Sequence, residues 1–191
     1  MSKKGLTPVY RAMLLLFTLF LASCAGQTTQ NQPEPVSDPQ LGDAYLRMLV
    51  LPVGIGEKFA MDYPQAVIDC RIGLIDGLSA TKRFQVDPIN ILPAQPTGPH
   101  TLVVKLEITD MRVASHAARM FGGAMVGSSY VNLKMTLTDG HTGRVIRDKE
   151  FSTHNNAFAA AWTSGSTDDS IPKDMGKITG DYITAVVPPT L

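Results

Sequence analysis

The sequence predicts an α+β (α/β-like) fold: a mixed sheet of about five strands, in the order β-α-β-β-β-β-α, with two helices packed on one face. Three observations predict it. Leu102 to Thr109 and Val131 to Thr138 alternate apolar and polar residues strictly, which is the period of strands with one buried face. Tyr63 to Leu78 and Ile171 to Val186 instead repeat apolar residues at spacings of three and four, the period of helices with one buried stripe. A short apolar run, the first of these helices and a second short run follow one another within about forty residues, as a parallel crossover unit requires.

The first 23 residues have the parts of an export signal. Lys3, Lys4 and Arg11 are its positive end, and Ala12 to Ala22 is an apolar core of 11 residues. As a helix that core spans roughly 17 Å, against about 30 Å for a bilayer, so it is too short for a permanent span. It ends in Leu21-Ala22-Ser23-Cys24. Leu21 is bulky where ordinary signal cleavage needs a small residue. Leu, two small residues and Cys resemble the lipobox of bacterial lipoproteins, in which the thiol, here Cys24, receives diacylglycerol and the new amino terminus is acylated. Three acyl chains, at about 0.8 kcal/mol per buried methylene, make such attachment effectively permanent. Ala25 follows rather than Asp, which by resemblance to the sorting rule of enteric bacteria implies the outer membrane. The expected division is a signal peptide over 1–23, a lipidated cysteine and tether over 24–40, and one domain over 41–191. Ala25 to Gln40 is rich in Gln, Pro and Thr and too poor in apolar side chains to fold. As a flexible linker it would reach roughly 20–25 Å.

Arg47 to Val53 reads as the first strand, closed by Gly54 and Gly56. Asp62 is placed to cap the next helix, with Pro64 in its first turn and Gln65 completing a capping box. Tyr63, Val67, Cys70, Leu74 and Leu78 form its apolar stripe. Gly73 and Gly77 weaken it by up to about 1 kcal/mol each relative to Ala, and read as points of close approach to the sheet. Phe84 to Asp87 is the next strand. Pro88 to Pro99, with four prolines, is a loop with one helical turn around Ile89 to Leu92. Leu102 to Thr109 is a long strand. Asp139-Gly140-His141-Thr142-Gly143 is a strong turn, which joins the strand from Val131 to a partner over Val145 to Thr153. Asn155 to Thr167 is loose around the apolar patch Phe158 to Trp162. Ser170 or Asp168 can cap a last helix with the stripe Ile171, Met175, Ile178, Tyr182 and Val186, stopped by Pro188 and Pro189.

Charge and cysteine usage exclude several functions. Without its first 23 residues the chain keeps 14 Lys and Arg against 17 Asp and Glu. That mildly acidic balance gives no electrostatic case for nucleic acid or for a polybasic membrane patch. With Cys24 consumed by lipid, Cys70 stands alone on an apolar stripe, so no internal disulfide is expected. His100, His116, His141 and His154 show no ligand spacing. No nucleophile elbow, zinc-protease motif or phosphate loop occurs. Asp168 and Asp169 read as a helix start, and Asp139 as a turn former. No catalytic residue, metal or cofactor is therefore expected.

Val113 to Ser129 is the remaining candidate. It is small, glycine-rich and apolar. It is either a plain connection, flexible or tightly packed, or a contact surface formed by Arg119, Met120, Phe121, Gly122, Gly123 and Met125. Glycines permit close backbone approach, and methionines adapt to partners.

The second half, from Leu102 through Arg119-Met-Phe-Gly-Gly and the strand ending in Asp139-x-x-Thr142-Gly143 to the closing helix, resembles an uncharacterised family of bacterial outer-membrane lipoproteins. The first half, Arg47 to Val53, a helix, then Ala80-Thr-Lys-Arg-Phe-Gln-Val-Asp87, is similar to the α/β domain of the curli-secretion lipoprotein CsgG and the amino-terminal domain of TolB. The resemblance implies a lipid-anchored envelope protein with no assigned reaction. No pair of long alternating strands for the CsgG membrane hairpin is visible. The expected function is thus a non-enzymatic binding or assembly accessory, at the outer membrane and facing the periplasm, whose partner is an envelope protein or a second copy. The alternative is a periplasmic small-ligand binding module, with the ligand between the sheet and the 155–165 loop near Trp162.

Overall fold

The computed structural model describes residues 38–92, 94, 96–154 and 166–189. Its elements are β1 (Arg47–Val50), β2 (Gly54–Ile55), α1 (Glu57–Asp62), α2 (Ala66–Ser79), β3 (Gln85–Pro88), β4 (Thr101–Arg112), α3 (His116–Gly122), a 3-10 turn (Gly123–Val126), β5 (Tyr130–Asp139), β6 (Val145–His154), α4 (Ser166–Asp169) and α5 (Ile171–Val186). The strands form one mixed sheet in the order β3-β1-β4-β5-β6, with the two-residue β2 paired to β4 beside it. β1 is parallel to β3 and to β4, and the β5–β6 hairpin completes the sheet antiparallel. The predicted α+β class, crossover unit and hairpin are thus the architecture found.

Side-chain alternation explains the layers. Leu102, Val104, Leu106 and Ile108 of β4, with Val131, Leu133, Met135 and Leu137 of β5, face the helices and are fully buried. They join Met48 and Val50 of β1, Cys70, Leu74 and Leu78 of α2, and Met175, Ile183 and Val186 of α5 in a single core. A bulge between Ile108 and Asp110 resets the register, which returns Met111 to the buried side. The opposite face carries the exposed Lys105, Glu107 and Lys134. It is not uniformly polar: Leu49 and Val103 are buried there too, so β4 starts covered on both faces.

The two long helices run in the same direction against each other, joined by four glycines. A Cβ on Gly73 would overlap the carbonyl oxygen of Lys173, and one on Gly176 would overlap that of Cys70. At Gly77 and Gly180 a Cβ would lie 2.8 Å from the carbonyl oxygens of Lys177 and Leu74. Each helix thus carries a Gly-x-x-x-Gly face, a pattern that lets backbones touch and Cα–H groups meet carbonyls. This corrects the expectation that Gly73 and Gly77 approach the sheet: they approach α5, while Cys70, Leu74 and Leu78 meet the sheet. It also shifts the predicted stripe of α5. Ile178 is only partly buried, whereas Gly176, Thr179, Gly180 and Ile183 are buried.

Other local expectations change for stated reasons. Asp62 ends α1 rather than capping α2, because Glu57 to Asp62 closes its own short helix, with Tyr63 N–H donating to the Phe59 carbonyl at 2.8 Å. Gln65 stands at the N-cap of α2 in helical geometry, and its side chain donates forward to Asp69 at 3.2 Å, so no capping box forms. The first strand stops at Val50 instead of Val53 and resumes as β2. No helical turn forms over Ile89 to Leu92. Ile89 N–H instead donates to the Val50 carbonyl at 3.0 Å, and the Arg71 guanidinium donates to the carbonyls of Val50 (2.9 Å) and Ile89 (2.7 Å).

The approach to the domain is fixed before β1 begins. The Asp38 carboxylate pairs with the Lys149 ammonium and accepts from Tyr182 Oη at 2.7 Å. Arg147 donates to the Pro39 carbonyl at 2.8 Å, and Leu41 N–H to the Val186 carbonyl at 2.8 Å. Arg147 and Lys149 lie on the free edge strand β6. Asp148 and Glu150 project from its other face, so antiparallel pairing with a second β6 would set like charges opposite each other.

Candidate functional site

The segment between β4 and β5 is a built projection from one end of the sheet. Ala and Met are good helix formers, and His116–Gly122 forms α3, whose start is closed by Ala118 N–H donating to Ser115 Oγ at 3.2 Å. Gly123, at φ +51°, then turns the chain into the 3-10 segment, a conformation that other residues enter at a cost. The base of the projection is tied. Arg112 donates to the Val126 carbonyl at 2.6 Å, Ala114 N–H to Ser129 Oγ at 2.9 Å, and Val113 N–H to Tyr63 Oη at 3.3 Å. Gly127, at φ +85°, passes close to the Arg112 guanidinium.

The apex is apolar and open. Met120 is 64% exposed, Phe121 89% and Met125 96%. Of the predicted contact residues, Met120 and Phe121 on α3 and Met125 on the 3-10 turn are the exposed ones, and Gly122 and Gly123 stand at the bend between them. Arg119 lies on α3, but its side chain falls outside what the structure describes. A helical projection tied at its base was not legible in the sequence, where this stretch read as an irregular link. The run of good helix formers Ala117, Ala118, Arg119 and Met120 is the signal that was available for it.

A cleft of about 300 Å³ opens at the same end of the sheet. It is lined by Tyr63, Met111, Val113 and Pro172, with the carboxylates of Asp62, Asp69 and Asp169 along it. That volume is at the lower end for small-ligand sites. The predicted ligand position near Trp162, like the lipobox residues Leu21, Ala22 and Ser23 and the lipidation residue Cys24, lies outside the described residues.

Cys70 and Asp139 are each shifted by their surroundings. Burial pushes the Cys70 thiol up to about 12, which leaves it neutral and a poor nucleophile. Asp139 shapes the hairpin turn as expected. Its Oδ1 accepts from Thr142 Oγ1 (2.7 Å), Thr142 N–H (2.6 Å) and His141 N–H (3.1 Å), and its Oδ2 from Tyr45 Oη (3.0 Å). These bonds, the Thr142 hydroxyl foremost, hold its carboxyl below the usual range. Among the described residues, no group of three or more His, Cys, Asp or Glu is placed to hold a metal ion, and no helix is long and apolar enough to cross a membrane.

No family model matches this chain, and no curated protein matches it. Solved structures align with it. PelC of Paraburkholderia phytofirmans, a dodecamer, aligns at a TM-score of 0.50 with 15% identity, over 74% of this chain and 93% of that one. Protein XCC0632 of Xanthomonas campestris aligns at 0.46 with 8% identity, over 77% of this chain and 90% of that one. The lipoprotein GNA1162 of Neisseria meningitidis aligns at 0.34 with 14% identity, over 58% and 83%. The PelC alignment shows a common fold. The likeness to CsgG and TolB drawn from the first half is unconfirmed by these alignments.

Proposed function

We propose that this protein is a lipid-anchored, non-enzymatic component of the bacterial cell envelope, held through Cys24 and acting by contact through the apex of the β4–β5 projection. The observation that carries the reading is the exposure of Met120, Phe121 and Met125 on a segment whose base is tied by hydrogen bonds. The outer membrane is the proposed site, from Ala25 following Cys24. Candidate occupants of the apex are another envelope component and a second copy of the chain, and the dodecameric PelC makes the second copy worth testing.

Two variants in whole cells test this. Cys24→Ser should move the protein out of the membrane fraction; if it stays with the outer membrane, the anchor reading fails. A photo-reactive side chain at position 121 should form a discrete adduct, with protein or with lipid. A position whose adduct yield matches that of the equally exposed Ile91 would refute the apex as a contact surface. The small-ligand reading is favoured only by the cleft around Tyr63 and Met111, and thermal shifts against envelope metabolites test it.

A further inference from the structure

We propose that the occupant of the apex is the lipid surface that holds the protein's own acyl chains: Met120, Phe121 and Met125 seat the domain on the bilayer. This rests on the reading of Cys24 as lipidated and of the apex as a contact surface. It follows from where the chain enters the domain and how much of it lies before that point.

The entry has a direction. Tyr45 meets Asp139, at the hairpin end of the sheet. Leu41 is level with Val186. Pro39 is held by Arg147, which pairs with Leu137 of β5, and Asp38 by Lys149, which pairs with Met135. Read backwards from Tyr45 to Asp38, the chain moves along β5 from Asp139 towards Tyr130. The α3 projection stands at that Tyr130 end, between Arg112 and Tyr130. The start of α5 is at that end as well, since Pro172 shares the cleft with Met111 and Val113. Asp38 sits beside Tyr182, and from Tyr182 back to Ile171 is about 16 Å along the helix. Cys24 to Ser37 is 14 residues, which extend to no more than about 50 Å. The length therefore suffices to bring the projection down to a bilayer holding the lipid on Cys24, and the run from Tyr45 back to Asp38 heads towards that end.

The patch also suits a lipid surface better than a protein one. Three side chains, even at about 200 Å² each, fall short of the roughly 800 Å² that each partner of a stable protein interface buries. An apolar tip needs no such area to enter a bilayer. The charges at this end are mixed, Arg112 and Arg119 at the projection against Asp62, Asp69 and Asp169 beside it, so insertion, rather than attraction to anionic lipid, is the source of binding. Docking should thus occur on zwitterionic vesicles and resist salt.

The test uses the full lipidated protein in vesicles of phosphatidylethanolamine and phosphatidylcholine. Phe121→Cys provides one reactive thiol, because Cys70 is buried and Cys24 would carry lipid. An environment-sensitive fluorophore placed there should be quenched by nitroxides on the acyl chains and protected from aqueous iodide. The same label on Val145→Cys, at the hairpin end, should show the reverse. Protein that floats with the vesicles while its 121 label stays open to iodide overturns the inference and leaves the anchor standing. A 121 label shielded from both quenchers overturns it in favour of a protein contact. Equal lipid quenching at 121 and 145 overturns it as an effect of the label. Protein that does not float with vesicles overturns both the anchor and this inference.

Discussion

Replacing Gly176 by Ala should destabilise the domain, although Ala is the better helix former. Glycine in a helix interior costs about 1 kcal/mol relative to Ala, so propensity alone predicts a gain of that size. Against it stands the new methyl group, which would overlap the Cys70 carbonyl oxygen and lie 2.8 Å from Leu74 N. Both are backbone atoms of α2 and cannot rotate aside, so the helices must part. Overpacking of this kind costs about 3 kcal/mol, at the upper end of its usual range. The net expectation is a loss of about 2 kcal/mol, which for a domain of this size lowers Tm by roughly 4–8 °C. Gly73→Ala should cost a similar amount through Lys173. The double variant should cost clearly less than the sum, because helices that have parted once admit both methyl groups. Gly42→Ala is the control: nothing lies within 4 Å of its added Cβ, so stability should stay within about 0.5 kcal/mol or rise slightly. Denaturant midpoints at unchanged m-value measure all four. If Gly176→Ala and Gly73→Ala are as stable as the parent or more so, the helices do not touch as described and the seam is wrong.

Two further expectations concern titratable groups. Cys70, neutral up to about pH 12 and buried, should resist alkylation at pH 8 and react only along the unfolding transition; rapid labelling of the native protein would contradict its place in the core. The carboxyl of Asp139 titrates below its unfolded value of about 3.9, chiefly through the Thr142 hydroxyl, so the stability it contributes is present above that value and is lost as pH falls through the lower, folded one. Asp139→Asn should therefore cost about 1 kcal/mol at neutral pH and flatten the decline in stability below about pH 4, and an acid profile parallel to the parent's would refute this.

The sheet was legible because its period is unambiguous. Val131 to Leu137 and Leu102 to Ile108 can satisfy a buried face only as strands, and Asp139 to Gly143 can join strands only as a turn. The helices were legible in position and misread in contact. Apolar periodicity counts large side chains, so Ile178 was assigned to the buried stripe and Gly176, Thr179 and Gly180 were not. A seam between two touching helices selects the smallest residues instead, and glycine carries no hydropathy signal. The same blindness sent Gly73 and Gly77 to the sheet. At the apex the apolar residues themselves were found, since Met120, Phe121 and Met125 stand out in any reading. The tie at their base was not found, because it depends on the bonds of Arg112 to Val126 and of Ala114 to Ser129, which form only once β4 and β5 are side by side.

The seam between α2 and α5 also orders events in time. Its glycines meet across about a hundred residues of sequence, and Arg83 donates to the carbonyls of Thr184 and Val187, near the end of the chain. Contacts that distant demand the closure of a long loop before they return any free energy, and they slow folding accordingly. A growing chain that has not yet reached Ile171 holds α2 with its glycine face and its core residues unmatched, so the domain cannot close until that helix has been made. Under the proposed export, such late closure would keep the chain unfolded during passage, because the step that commits the fold waits for the sixteen-residue α5.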